Sequence, residues 1–318
     1  MLTILSITGP IFILIALGFG AVHKGLLARS DMKGLGGFVI NFAVPTLLFN
    51  AMAQRSLANL INFELLLVYT LGSLAVVAGI LAFTCIFQKR SLRSGVVLAM
   101  GMSLSNSAFI GFPIAQQLLG KEASAMLALY VVVEVMIVLP LLLTLAEVGE
   151  TSSGRWATVF GGVLKRLLKN PMILAIVLGT VFSASGLSLP LPLVRVIDML
   201  SSASAPVALF YIGGTLAGLS MKGMARDIGS IVVGKLALHP LAVLVAFFIL
   251  PFDDPMLKMA AIINAGMPML SIYPILGQKY GQQDLCAAAM VITTAMSFIT
   301  INTLLWLTGA SQQLNFGA

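Results

Sequence analysis

A chain of 318 residues that is 59% hydrophobic and 9% charged, with a mean hydropathy of +1.06, lacks the polar surface that a soluble domain needs. Charge-free runs such as 66–87 are long enough to cross about 30 Å of hydrocarbon as helix, and alternating β-barrel patterning is absent, so the fold class is all-α integral membrane. The net charge of +7 does not mark a nucleic-acid binder, because the 18 basic residues fall in small groups between apolar runs.

In chain order, hydropathy predicts ten transmembrane helices, over 4–22, 34–52, 64–86, 94–118, 123–146, 170–186, 193–220, 229–250, 256–280 and 283–308. The first has no preceding Lys or Arg and is read as a true helix rather than a cleaved signal. In the second, Asn41 stands four before Pro45, where its amide can bond a carbonyl freed by the proline or line a cavity. Cys85 in the third span and Cys286 in the tenth read as small apolar residues. The fourth is interrupted by SLSNSAFIGFP, which brings Ser105, Asn106, Ser107, Gly111 and Pro113 into one apolar segment. Glu134, midway through the fifth, can pair across helices or carry a proton. Pro206 lies in the seventh span. Lys235 and His239 lie four apart on one face of the eighth. Lys235 can offset a ligand's charge, take part in proton coupling, or snorkel to the interface, and His239 can be structural or relay a proton. The ninth span is interrupted by INAGMPMLSIYP, with Asn264, Gly266, Pro268, Ser271 and Pro274.

The halves of the chain repeat. Pro10, Pro45 and Pro113 recur as Pro171, Pro206 and Pro274, each 161 positions on, where chance at one chosen offset gives about 0.3 coincidences. The flanks agree: PIFILIALG (10–18) over PMILAIVLG (171–179), PTLLF (45–49) over PVALF (206–210), and FPIAQQLLG (112–120) over YPILGQKYG (273–281). A duplicated unit of five helices must enter the membrane from opposite faces, which predicts two inverted repeats over 1–146 and 170–318, joined by a cytoplasmic linker over 147–169. Of the basic residues, 13 fall in loops on one side and 4 on the other; the richer side is expected to be cytoplasmic, in a bacterial-type inner membrane, with both termini outside.

Spans four and nine are repeat mates, and their centres share the same breaker residues. Broken backbone at membrane depth survives only where protein buries it or it lines a cavity. The expectation is two broken helices crossing near the midplane, their new N-termini forming a cradle for an anion. Ser105, Asn106, Ser107, Asn264, Pro268, Ser271 and Asn41 are the candidate binding residues, and Gly111, Pro113, Gly266, Pro274, Pro45 and Pro206 the candidate helix breaks.

The chain resembles the auxin efflux carrier family of plant auxin exporters and bacterial malonate-type carriers. LSNSAFIGFPIA (104–115), KNPMILAIVLG (169–179), ASAPVALFYIGGTLAGL (203–219) and KLALHPL (235–241) are similar in order and spacing to that family's patterns for helices four, six, seven and eight. The resemblance implies a crossover of helices four and nine that binds an organic anion, with Asn106 at the position that contacts substrate carboxylate. Ser105 stands where plant members carry proline, and Asn170-Pro171-Met172 replaces their Asn-Pro-Asn.

No hydrolase elbow, zinc-protease or phosphate-loop motif is present, so an enzyme is not expected and no cofactor or metal is implied. The expected activity is secondary transport of a small mono- or dicarboxylate such as malonate by alternating access. A sodium-coupled bile-acid-type symporter and a non-transporting anion sensor stay open, and the expected partners are the anion, the lipid bilayer and, as an open option, a second copy in a homodimer.

Overall fold

A computed structural model describes residues 2–53, 62–148, 161–162, 165, 168–217, 224–250 and 252–307. Most of the linker expected over 147–169 lies outside the described residues, as do Arg55 and Lys222. Among the described residues the fold is all-helical, with an isolated antiparallel bridge between Ser105 and Met269 and no strand. In chain order the helices are α1 (Leu2–His23), α2 (Asp31–Ala53), α3 (Phe63–Phe87), α4 (Leu92–Ser103), α5 (Ser107–Leu119), α6 (Ala123–Glu147), α7 (Pro171–Ser185), α8 (Leu191–Leu216), α9 (Ala225–Ile249), α10 (Pro255–Ala265), α11 (Tyr273–Lys279) and α12 (Gln283–Leu307). Six of them, α2, α3, α6, α8, α9 and α12, are long and apolar enough to cross a membrane. The 12 residues of α4 reach only about 18 Å as helix, well short of the hydrocarbon thickness.

Local chemistry explains several starts. Asn170 accepts from Met172 N–H ahead of Pro171, and Asp254 accepts from Met256 and Leu257 N–H ahead of Pro255. Each pairs a capping side chain with a proline whose missing N–H costs nothing in the first turn. Two of the proposed breaks are corrected. α8 runs unbroken through Pro206, and α2 is helical through Pro45. A lone proline inside a packed helix is absorbed by small local adjustments. In α2 the adjustment is a π-helical turn over Val39–Ala43, and Asn41 Nδ2 donates to the Gly37 carbonyl at 2.8 Å. Asn41 thus serves its own helix, though not at the carbonyl that Pro45 leaves free.

The chain forms two compact units, and each draws on both sequence halves. The first comprises Met1–Phe63, Ser107–Val132 and Leu168–Gly218. Its two principal helix pairs are α1 with α8 and α7 with α2. A Cβ added at Gly18 of α1 would lie 2.0 Å from the Phe210 carbonyl oxygen, and one at Gly179 of α7 would lie 2.7 Å from the Phe49 carbonyl oxygen. Both Gly18/Gly179 and Phe49/Phe210 are 161 apart, so the two contacts are one contact made twice. Close backbone approach through glycine is how helices associate where lipid offers no hydrophobic drive. Among the described residues, the four glycines with positive φ follow the same rule: Gly25 with Gly186 and Gly120 with Gly281, each 161 apart and each closing a helix or turn that a side chain would strain.

The second unit comprises Glu64–Asn106, Val133–Leu167 and Leu219–Ala318. One rim gathers charges that the sequence assigned to a single membrane face. Arg90 makes a two-pronged ion pair with Asp227 at 2.8 and 3.0 Å, and that hydrogen bond drives its guanidinium pKa still higher. Lys279 pairs with Glu147, and Arg93 stacks 5.2 Å from the Tyr280 ring. Lys258, assigned to the opposite face, lies over Phe247 and Phe248 instead. Cys85 and Cys286 are both free thiols.

Gly18→Val and Gly179→Val should each destabilise the protein by about 1–3 kcal/mol, because the clash is with backbone that cannot swing away. Gly9→Ala, with nothing within 4 Å of its added Cβ, should not destabilise and should gain up to about 1 kcal/mol in the same thermal unfolding measurement in detergent.

Candidate functional site

The second unit holds two helices that stop short inside the protein. α4 ends at Ser103, and Leu104 turns to extended backbone. α10 ends at Ala265, and Gly266 to Ile272 is not helical before α11 begins at Tyr273. The interrupted strands of backbone pair with each other. Asn106 N–H donates to the Pro268 carbonyl at 2.7 Å, and Asn106 Nδ2 donates to Ser271 Oγ at 3.0 Å. The two halves are also clamped by Tyr273, whose hydroxyl donates to the Val97 carbonyl at 3.0 Å while its ring covers Gly101. Each break therefore satisfies polar backbone that the other exposes, which is what membrane depth demands.

The breaker residues act at different places. Gly266 caps α10, and Pro268 supplies the carbonyl that Asn106 binds. Gly111 and Pro113, in contrast, do not form the first break: it falls at Leu104–Asn106, and both lie in the helical backbone of α5, with Pro113 in a first α-turn that follows a π-helical turn over Ser107–Gly111. Pro274 likewise opens α11. A proline is easily accommodated where no i→i−4 bond is yet required. The cradle of opposed helix ends is also modified. α11 has only seven residues, and its leading N–H, that of Tyr273, bonds to the Leu270 carbonyl at 2.9 Å. Ser107 opens α5 in the first unit and is buried.

A buried polar cluster surrounds the breaks. Lys235, with no exposure at all, donates to Ser105 Oγ at 2.6 Å and to the Ala265 carbonyl at 2.8 Å, and meets His239 Nδ1 at 2.8 Å. An ammonium has three N–H donors, and these three partners use them all. Lys235 therefore does not snorkel to an interface. His239 Nδ1 receives a proton donor, so its own N–H is on Nε2, 3.0 Å from Ser73 Oγ. Tyr69 donates to Glu134 Oε1 at 2.9 Å, accepts from Asn264 Nδ2 at 2.8 Å, and lies 3.3 Å from Ser105 Oγ. Glu134, 1% exposed, thus pairs across helices with a phenol.

Local helix geometry positions these groups. Lys235 lies in a π-helical turn over Gly234–Leu238, and Glu134 in another over Val132–Val138. Such turns recur at functional sites because the extra residue re-aims side chains. An added Cβ at Gly234 would lie 2.3 Å from Met102 Sδ, so glycine lets α9 lie close against α4. Of the expected residues, Ser105, Asn106, Asn264, Pro268, Ser271, Lys235, His239 and Glu134 come together in this unit, whereas Asn41 belongs to the first. Sequence reasoning missed Tyr69 and Ser73. The available signal was two polar tips at i and i+4 in a largely apolar third span, where a buried Tyr hydroxyl needs a partner.

Comparison with known proteins places this geometry in context. The chain is similar to a protein named "Putative malonate transporter" from Rhizobium meliloti (strain 1021), 29% identical over 95% of this chain and 96% of that protein. It is also similar to an uncharacterized transporter of Methanothermobacter thermautotrophicus, 23% identical over 94% of this chain and 95% of the other. A third relative, the lysosomal cholesterol signaling protein of Mus musculus, is 25% identical over 65% of this chain but only 25% of its own length. The family model for membrane transport proteins matches residues 4–307, so the chain belongs to that family, the auxin efflux carriers, and is a membrane-embedded transporter.

Proposed function

We propose that the protein is a secondary carrier of small organic anions, mono- or dicarboxylates such as malonate, working by alternating access at the paired helix breaks. The observation that carries this reading is the pairing of Asn106 with Pro268 and Ser271, which holds a neutral amide donor and a hydroxyl at two interrupted helices. One of the two N–H groups of Asn106 Nδ2 is engaged by Ser271; the other can donate to a carboxylate without a permanent buried charge. The Lys235 ammonium, bonded to the neighbouring Ser105, offsets the charge of the bound anion.

Ten spans in two inverted repeats, over 1–146 and 170–318, fit this mechanism, and the reciprocal Gly18/Phe210 and Gly179/Phe49 contacts support the duplication. The unit that carries the breaks would move as a body while the site binds or releases substrate. The charge asymmetry of the loops favours an inner (plasma) membrane location with both termini on the extracytoplasmic side.

Purified protein in liposomes should take up labelled malonate or a related carboxylate. Asn106→Ala should lower that uptake by about tenfold to a hundredfold, the worth of one hydrogen bond to a charged group. Uptake of none of the carboxylates by the wild type would refute the carrier reading, and binding without flux would favour an anion sensor. Uptake that requires a sodium gradient would favour the symporter of the bile-acid type. Lys235→Met should weaken carboxylate binding and lower the thermal midpoint by the equivalent of about 1–3 kcal/mol, because it leaves the buried Ala265 carbonyl at the end of α10 without its donor.

A further inference from the structure

Carrier function by itself leaves the bonds between Lys235 and Glu134 without a use. We infer that Lys235, Ser105, Tyr69 and Glu134 form a proton relay that couples anion movement to one proton, an inference that rests on the carrier reading above. Its direction follows from counting hydrogens. Lys235 Nζ can only donate when charged, and it donates to Ser105 Oγ at 2.6 Å. Tyr69 has one hydroxyl proton, and that proton goes to Glu134 Oε1 at 2.9 Å. The proton in the 3.3 Å link between Ser105 and Tyr69 is therefore the one on Ser105. Every donor in the row points from the lysine toward the carboxylate.

A concerted shift along this row conserves every atom and involves no redox change. An N–H bond breaks at Lys235 as an O–H forms at Ser105; Ser105 passes its own proton to Tyr69, and Tyr69 passes its proton to Glu134. The charged pair becomes a neutral amine and a carboxylic acid. Both ends are buried, Lys235 fully and Glu134 at 1% exposure, so separated charges are costly to keep there. One further proton, taken from water, leaves Lys235 as ammonium and Glu134 as acid. Only this form carries a net positive charge beside Asn106, and an anion bound there stabilises it. The anion and the proton then favour each other's binding, which is the thermodynamic content of coupling.

Several titratable groups face the relay. α3 contributes Tyr69, α6 Glu134 and α9 both Lys235 and His239, with His239 neutral and turned to Ser73. Tyr273, at the start of α11, donates to Val97, and Cys286 of α12 lies against Gly277. The longest link is at Ser105, which stands in the interrupted segment next to Asn106, whereas Tyr69, Glu134 and Lys235 stand on helices. A ligand that moves Asn106 therefore opens or closes the row at one point.

The test uses the full chain in liposomes and has two arms. Without substrate, infrared difference spectra recorded across pH should show the carbonyl stretch of a buried carboxylic acid. The band should vanish in Glu134→Gln, and its midpoint should move by about one pH unit or more in Tyr69→Phe. Ser105→Ala, which cuts the row without removing either charge, should move it likewise and serves if Tyr69→Phe does not fold. With labelled malonate and the membrane potential clamped, an inward proton gradient should stimulate wild-type uptake, and Glu134→Gln should lose that stimulation by about tenfold. A wild type without the band, a midpoint unmoved in the variants that cut the row, or proton stimulation that survives in Glu134→Gln would overturn the relay. If malonate is not carried at all, the carrier reading is what fails for that substrate, and the infrared arm still decides whether the relay exists.

Discussion

The bond from Lys235 to the Ala265 carbonyl sits where the fold is most exposed to failure. Ending a helix inside a membrane protein leaves carbonyls without partners and a partial negative charge at the C-terminus. Lys235 answers both needs, since an ammonium is a donor and a cation at once. Its remaining donors reach Ser105 and His239, which ties the end of α10 to the segment after α4 and to the interior of α9. Removing this side chain would unseat two breaks together, because each break depends on the other for its backbone partners.

Scaffold and chemistry follow different rules in this protein. The scaffold is duplicated: the glycine contacts of α1 with α8 and of α7 with α2, and the left-handed glycines, match at one fixed spacing. The chemistry is not. At 161 positions from Lys235, Glu134 and Tyr69 the chain has Leu74, Ala295 and Ser230. The glycine pattern thus recurs at that spacing, whereas the cluster of ionisable groups does not.

Much of this was legible in the sequence because it depends on periodicity and on backbone chemistry. The apolar spans, the repeat spacing and the two breaker-rich segments follow from hydropathy, proline and glycine. The break positions were less accessible. Gly111-Phe112-Pro113 drew attention as a breaker, yet the chain departs from helix at Leu104, because a proline near a helix start is easily accommodated and the pairing of Asn106 with Pro268 decides the site. Pro206 and Pro45 show the same limit from the other side: proline permits a break, and packing determines whether one occurs. Lys235 stood between two readings because depth along a helix says little about which way a long side chain turns. Tyr69 stayed hidden because its ring is apolar and only its hydroxyl matters.

The π-helical turns around Lys235 and Glu134 have an evolutionary corollary. A turn of this kind contains one residue more than the α-helix would, and deleting that residue would restore regular geometry at little local cost. The helix beyond it would keep its facing, because the turn had absorbed the extra residue, but the side chains inside the turn would be re-aimed. In α9 such a deletion would turn Lys235 away from Ser105 and the Ala265 carbonyl, so point substitutions elsewhere in the turn can be survivable while a one-residue gap is not. Homologues that retain the cluster should therefore keep their length unchanged across residues 234–238, even where the residues themselves differ.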